Sequence, residues 1–477
     1  MKNSKMICTA SAALWAALTV LLLAVPSVAE EPARSTPADQ KSLHITIYNQ
    51  NFGLVKDVRQ LNLPRGIQNV WFEGVAVQID PTSVSIRSLD APDKLSVLEQ
   101  NFEFDLISPA KLMYKYLGQT VELVRTIEDR EETVEAKLIG TDGGYVYEID
   151  GKIAINPPGR VVLPSLPKGL ISKPSLVWLL DNGRDKHTVE ATYLTNGINW
   201  KADYVAVLSK DDMLVDVSGW VTIDNQSGVT YENATLKLVA GDVNRLQPER
   251  QMPRMAMEAT MTNGGRQFKE ETFFEYHLYT LGRPATVKDR QTKQIGLLEA
   301  SGIGVEKTFV YASNGHYYLS RMGGPDTGTK VGVYMSFDNS EKNNLGMPLP
   351  KGVVRMYKKD KDGSLQFVGE DRIDHTPEDE RIRLRMGNAF DIVAERVQTD
   401  YKVLASGHLY ESSYKVTIRN HKDEDVTVQV VEQMMGDWEV LDKSHAFEKE
   451  SSHRIRFDVP VERKGSVELT YTVRVKY

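Results

Sequence analysis

Cysteine is almost missing from this 477-residue chain: Cys8 is the only one. It lies inside an apolar N-terminal stretch that reads as a removable leader, so the remainder carries no thiol. That excludes cysteine nucleophiles, thiol redox chemistry, disulfide staples and cysteine-ligated metals from the folded part. Basic tracts are missing too, and the formal charge is −7. An acidic balance without a Lys/Arg cluster argues against nucleic acid as a partner. The sequence also lacks His-Glu-x-x-His, Gly-x-Ser-x-Gly and a phosphate-cradling glycine loop. Asp360-x-Asp362-Gly363 resembles a fragment of a calcium loop, but Lys358 and Gly369 stand where its first and last ligands belong. A hairpin turn accounts for it better.

What is present begins with the leader. Lys2 and Lys5 precede a mostly apolar run from Ala12 to Val25, Pro26 breaks it, and Ser27 and Ala29 supply the small residues a signal peptidase requires. Cleavage after Ala29 is expected, and with it a periplasmic or secreted protein. The alternative is an uncleaved anchor, because apolar character reaches back to Met6 and approaches the roughly 20 residues that span a bilayer. Contact with a membrane is expected only through such an uncleaved segment. Cys8 precedes the apolar run, which argues against a lipoprotein. Losing residues 1–29 removes two lysines and no acids, moving the formal charge to −9 (56 basic against 65 acidic side chains).

The remaining length of about 450 residues suggests two to four domains. Residues 30–41 are polar and read as a flexible leader. Short alternating runs then predict a mainly β protein: multi-domain antiparallel β-sandwiches with a small β-barrel-like insert and a few short helices. The divisions expected are an N-terminal β domain (42–107), the barrel-like insert (108–170), a central sandwich (171–405) and an immunoglobulin-like C-terminal sandwich (406–477). A mobile Met-rich loop is expected over 248–268. Ser108, Pro109 and Gly118 frame a helix over Ala110–Leu117, and a second short helix is expected over Ser175–Leu180. Val221-Thr222-Ile223-Asp224-Asn225 is echoed by Val416-Thr417-Ile418-Arg419-Asn420. An asparagine ending such a strand can bond its own backbone and start the turn.

The run Ala191-Thr192-Tyr193-Leu194-Thr195-Asn196-Gly197-Ile198-Asn199-Trp200-Lys201-Ala202-Asp203-Tyr204 carries a resemblance, together with Gly219-Trp220-Val221, Asn225 and Leu238-Val239-Ala240-Gly241-Asp242. Glu275-Tyr276-His277-Leu278-Tyr279, Gln291-Thr292-Lys293-Gln294 and the Thr470-Tyr471-Thr472-Val473 end extend it. Over roughly Lys173–Tyr477 the chain resembles the bacterial domain-of-unknown-function family that includes the mucoidy-inhibitor-like proteins. The resemblance implies an exported β-sandwich protein and brings no catalytic residue or cofactor with it.

Three side-chain groups invite chemistry. Glu275 and His277 lie two apart in a strand-like run, and His408 and Glu411 form a second such group; paired, they could bind Zn²⁺ or move protons. The plainer reading is cross-strand hydrogen bonding. Met252, Met255, Met257 and Met261 are soft Cu(I) donors or adaptable contact residues, with no flanking histidine. Trp200, Asp203, Tyr204 and Trp220 suit a carbohydrate-binding face, or else a sandwich core. No cofactor is expected. The expected function is a non-catalytic binding or scaffolding module for an envelope protein or glycan, with two rivals: an envelope hydrolase acting on glycans, and a metal-handling protein.

Overall fold

The computed structural model describes residues 32–477 apart from 128–129, 168, 246–267, 314–319, 322–323, 326–328 and 406. The expected signal peptide and the four candidate methionines lie outside the described residues. Strands dominate the rest.

Two sheets build the larger core. One runs Phe268–Phe273, Tyr276–Leu281, Tyr231–Ala240, Gln40–Tyr48, Phe52–Asn62, Lys186–Asn196, Ser85–Ser88, with Ala285–Val287 also paired to Tyr231–Ala240. Strands from the segment read as an N-terminal domain therefore pair directly with strands of the central segment. The facing sheet runs Gln291–Gly304, Leu214–Asn225, Ile198–Leu208, Gly352–Lys359, Leu365–Ile373. Alternation turns Trp200, Ala202, Tyr204, Val221 and Ile223 inward, where they join Ile45, Ile47, Leu236 and Leu238 in one cluster. A four-stranded sheet (Ala33–Ser35, Gly66–Glu73, Ser175–Asn182, Leu95–Glu103) adds Phe72, Leu176 and Trp178 to it.

A six-stranded sheet, Arg381–Asn388, Gly332–Asp338, Glu306–Ala312, Val426–Gln433, Arg454–Val461, Phe447–Ser451, serves two cores. Met335, Phe337, Ile382 and Leu384 belong to the first, whereas Phe309, Tyr311, Val428 and Phe457 belong to the second. Ile392–Ala405, Leu409–Asn420, Ser466–Lys476 and Asp437–Lys443 form the sheet opposite it in the C-terminal sandwich.

Several expectations change. Residues 32–41 are not a free leader: Ala33–Ser35 pairs in parallel with Val70–Phe72, and Thr36 and Asp39 form a capping box over Pro37–Asp39. A polar edge strand needs only backbone partners, which composition does not reveal. Ser175–Asn182 is a strand, not a helix. Its unbroken apolar run is buried on both faces between two neighbours, a case in which strand and helix share one pattern. The insert is an open five-stranded sheet, Lys152–Ile155, Val146–Ile149, Arg130–Gly140, Thr120–Ile127, Arg160–Val162, and it does not close into a barrel. Its helix spans Pro109–Lys115, with Ser108 Oγ accepting from Lys111 N–H and Gly118 following at φ +81°.

The asparagine echo is physical. Asn225 is fully buried; its Nδ2 donates to the carbonyls of Val229, Val287 and Lys288, and its Oδ1 accepts from Ser227 N–H. Asn420 repeats the arrangement with Glu424, Val461, Glu462 and Lys422 N–H. Asn182 and Asn339, also buried, do the same work at two other strand ends: Asn182 donates to Leu63 and Pro64, Asn339 to Met347 and Pro377.

Candidate functional site

Strand parity divides the four residues read as a carbohydrate face. Trp200 and Tyr204 point into the core, 2% and 1% exposed. Their polar ends are used inside: Trp200 Nε1 donates to the Val239 carbonyl (3.1 Å) and the Tyr204 hydroxyl to that of Pro350 (2.7 Å). Burial, and then the charge of Asp203, push the Tyr204 phenol well above its ordinary pKa. Both are fastenings of the core. Asp203 and Trp220 lie side by side on the opposite face of the same sheet.

That face carries a polar row across all five strands. Glu370 Oε2 lies 3.1 Å from Arg355 Nε, and Arg355 Nη1 lies 3.3 Å from Asp203 Oδ1. Thr222 Oγ1 donates to Asp203 Oδ2 (2.7 Å), and Gln294 Nε2 donates to Thr222 Oγ1 (3.2 Å). Lys201 Nζ stands 3.5 Å from Asp203. Trp220, 40% exposed, is flanked by Asp203 on one neighbouring strand and by Gly296 on the other. The glycine leaves the ring's flank without a neighbouring side chain. Farther along, Tyr357 and the exposed Phe367 meet edge to face, centroids 5.7 Å apart. Strand register puts Tyr357 two strands across and four residues along from Trp220. Sheet spacings make that roughly 16 Å.

The same rows run into a cleft of about 590 Å³. Asp224 and Thr292, paired on adjacent strands, continue the outward parity of Trp220 and Thr222. Gln78, Gln226, Asp289 and Arg290 complete its polar lining. Each carboxylate there is held: Asp224 accepts from Gln226 Nε2 (3.2 Å), and Asp289 from Gly228 N–H (2.9 Å). The Arg290 side chain is 90% exposed. Donors, acceptors and two aromatic platforms thus share one continuous surface. Such a surface suits a pyranose chain, whose rings have apolar faces and hydroxyl edges.

The His/Glu pair is not assembled. His277 is in Tyr276–Leu281, Glu411 is in Leu409–Asn420 and His408 is in the turn just before that strand; the two strands belong to different sheets and do not pair. Glu275 lies outside the strand, in the turn after Phe274 at φ +58°. His277 Nδ1 lies 2.7 Å from Glu270 Oε1 across the hairpin, and Glu411 pairs with Arg474 at 3.2 Å. These are cross-strand fastenings. Among the described residues there is no group of three His, Cys, Asp or Glu side chains able to hold a metal ion, and no helix long and apolar enough to cross a membrane.

Sequence reading missed a histidine that the fold uses. His375 Nδ1 accepts from Lys351 N–H (3.2 Å), so the neutral ring carries its proton on Nε2. Asn49 Nδ2 is placed 3.2 Å from Nε2, and because that nitrogen bears the proton the amide is assigned turned round, so that Oδ1, otherwise buried without a partner, accepts. Burial, then the Lys351 charge, lower the His375 pKa to about 4, against opposing effects of Asp242 and Asp374. Asn49, Lys351 and His375 are 326 residues apart at their extremes, and no local spacing announces them.

No protein-family model matches the chain, and no curated protein matches it.

Proposed function

We propose that this chain is an exported, non-catalytic module of the cell envelope that binds glycan on the open face of its five-stranded sheet. The observation that carries the reading is the row Glu370, Arg355, Asp203, Thr222, Gln294 beside the half-exposed ring of Trp220. Asp203 and Thr222, 7% and 8% exposed, form the covered middle of the row, and the 40%-exposed Trp220 ring lies beside them with its apolar face available to a sugar. Asp203 and Thr222 hold Arg355, Glu370 and Gln294 in place through this row, and side chains already fixed lose less entropy when a sugar docks. Export rests on Lys2, Lys5, the Ala12–Val25 run and Ala29, and kinship with the mucoidy-inhibitor-like proteins is part of the same proposal.

The test is co-sedimentation with purified sacculi, alongside tryptophan fluorescence titrated with chito-, cello- and malto-oligosaccharides. At least one glycan is expected to bind, with Trp220→Ala weakening it about tenfold and leaving the melting temperature within a few degrees of the parent. Equal binding by parent and Trp220→Ala, or retention of no glycan, overturns the reading. Cleavage of the bound glycan, abolished by Asp224→Asn, replaces it with the hydrolase.

A further inference from the structure

A second cavity, of about 210 Å³, lies where the shared six-stranded sheet passes from the first core to the second. Leu208 and Met335 line it from the first cluster and Phe309 from the second. We propose that it is a binding site for a small amphipathic anion, a monocarboxylate on a short aliphatic or aromatic body.

Three ammonium groups surround an apolar floor. Lys307, Lys358 and Lys422 line the cavity against two carboxylates, Asp212 and Asp391, so the lining is net positive by one. Asp212 holds two of the three, Lys307 at 2.8 Å and Lys358 closer still. Burial disfavours its charge, but the hydrogen bonds from Lys307 and Lys358 outweigh that and keep its pKa below the ordinary value. Lys422 also lines the cavity, and its ion pair with Glu424 at 3.4 Å is weak, because that carboxylate is two-thirds exposed to water, so a bound carboxylate can replace it. The ammonium groups of Lys307 and Lys422 also stand 5.6 and 5.8 Å from the centroid of the Phe309 ring.

The body of the ligand follows from the rest of the lining. Met335 and Met386 supply adaptable apolar contact, and Phe390 forms a lip that is 94% exposed. A phenyl ring so exposed contributes nothing to either core. The volume equals about seven water molecules, the size of a six- or seven-carbon chain. An apolar floor excludes a wholly polar anion, and the lysines exclude an amine. This site stands apart from the glycan face and does not depend on that reading.

Isothermal titration of the full chain with hexanoate, hexanol and hexylammonium tests it. Saturable hexanoate binding is expected, with hexanol weaker by about tenfold and hexylammonium showing none. Lys422→Met, which leaves the Asp212 pair untouched, should weaken hexanoate about fivefold or more, and Phe390→Ser should weaken hexanoate and hexanol alike. Trp220→Ala should change neither. Hexanol binding as well as hexanoate, hexanoate binding undiminished in a folded Lys422→Met protein, or no saturable heat with hexanoate overturns the proposal.

Discussion

His375 shows how a single side chain couples the fold to solution conditions. Its folded pKa of about 4 lies below the ordinary 6.5, because burial and Lys351 disfavour the imidazolium. Between those values the unfolded chain binds a proton that the folded chain refuses. Its contribution to stability is therefore complete above about pH 6.5, is lost as the pH falls toward 4, and changes no further below that. The size is a few kcal/mol at most, since the ring keeps some contact with water. His277, Asp242 and Asp374 face the same ring and shape the midpoint. Denaturant titrations of the parent and His375→Phe from pH 7 to pH 4 check this: the variant should be less stable at pH 7, and the gap should close as the pH falls. A gap that stays constant would mean that the ring contributes packing alone. Nothing in the sequence around Asp374-His375-Thr376 points to this role, since its partners come from distant turns. His277 was legible as a polar strand residue, and its hydrogen bond to Glu270 is of the plain cross-strand kind.

Elements were legible where one face of a strand meets water. Trp220, Thr222 and Asp224 alternate with Val221 and Ile223, and the register turns the first set outward. The same parity placed Trp200 and Tyr204 inside, so the four-residue carbohydrate face divided along the pleat. Which strands lie beside these was not legible. Arg355 reaches Asp203 because Gly352–Lys359 pairs in parallel with Ile198–Leu208 across some 150 residues of chain. Ser175–Asn182 failed for the opposite reason, having no wet face to give it a period. The buried asparagines lock such strands at their ends. Asn225 Nδ2 serves three carbonyls, so Asn225→Ala leaves several acceptors unsatisfied and should cost about 2–4 kcal/mol. Asn225→Asp should cost more at neutral pH, because it turns a carboxylate toward those oxygens, and should recover partly under acid as it protonates. Urea melts at pH 7 and pH 4 measure both. An Asp variant milder than the Ala variant at pH 7 would show that shape, not donation, is what the corner uses.

The two larger cores are tied together by a sheet that belongs to both, while the insert keeps a small core of its own around Met113, Tyr116 and Tyr147. Each larger core encloses a buried arginine–carboxylate pair with the guanidinium over an aromatic ring: Arg59 with Asp57 over Phe72, and Arg396 with Glu432 over Tyr414. Removing one partner of such a pair strands a buried charge and costs about 3–5 kcal/mol. The shared sheet adds mechanical continuity. Phe309 and Met335, on hydrogen-bonded neighbouring strands, lie in different hydrophobic clusters. Disrupting one core therefore removes backbone partners from strands that complete the other. Phe457 is fully buried in the second core, against Phe447 and Tyr471. Phe457→Ala should cost about 3–5 kcal/mol there. Coupling through the sheet predicts that protection falls in both sandwiches, at Leu409–Asn420 and at Ile198–Leu208, although the second strand is far from the substitution. Native-state hydrogen exchange at low denaturant reads the two strands separately. Equal loss of protection makes the two sandwiches one cooperative unit. Loss confined to Leu409–Asn420 makes the shared sheet a hinge between units that unfold independently.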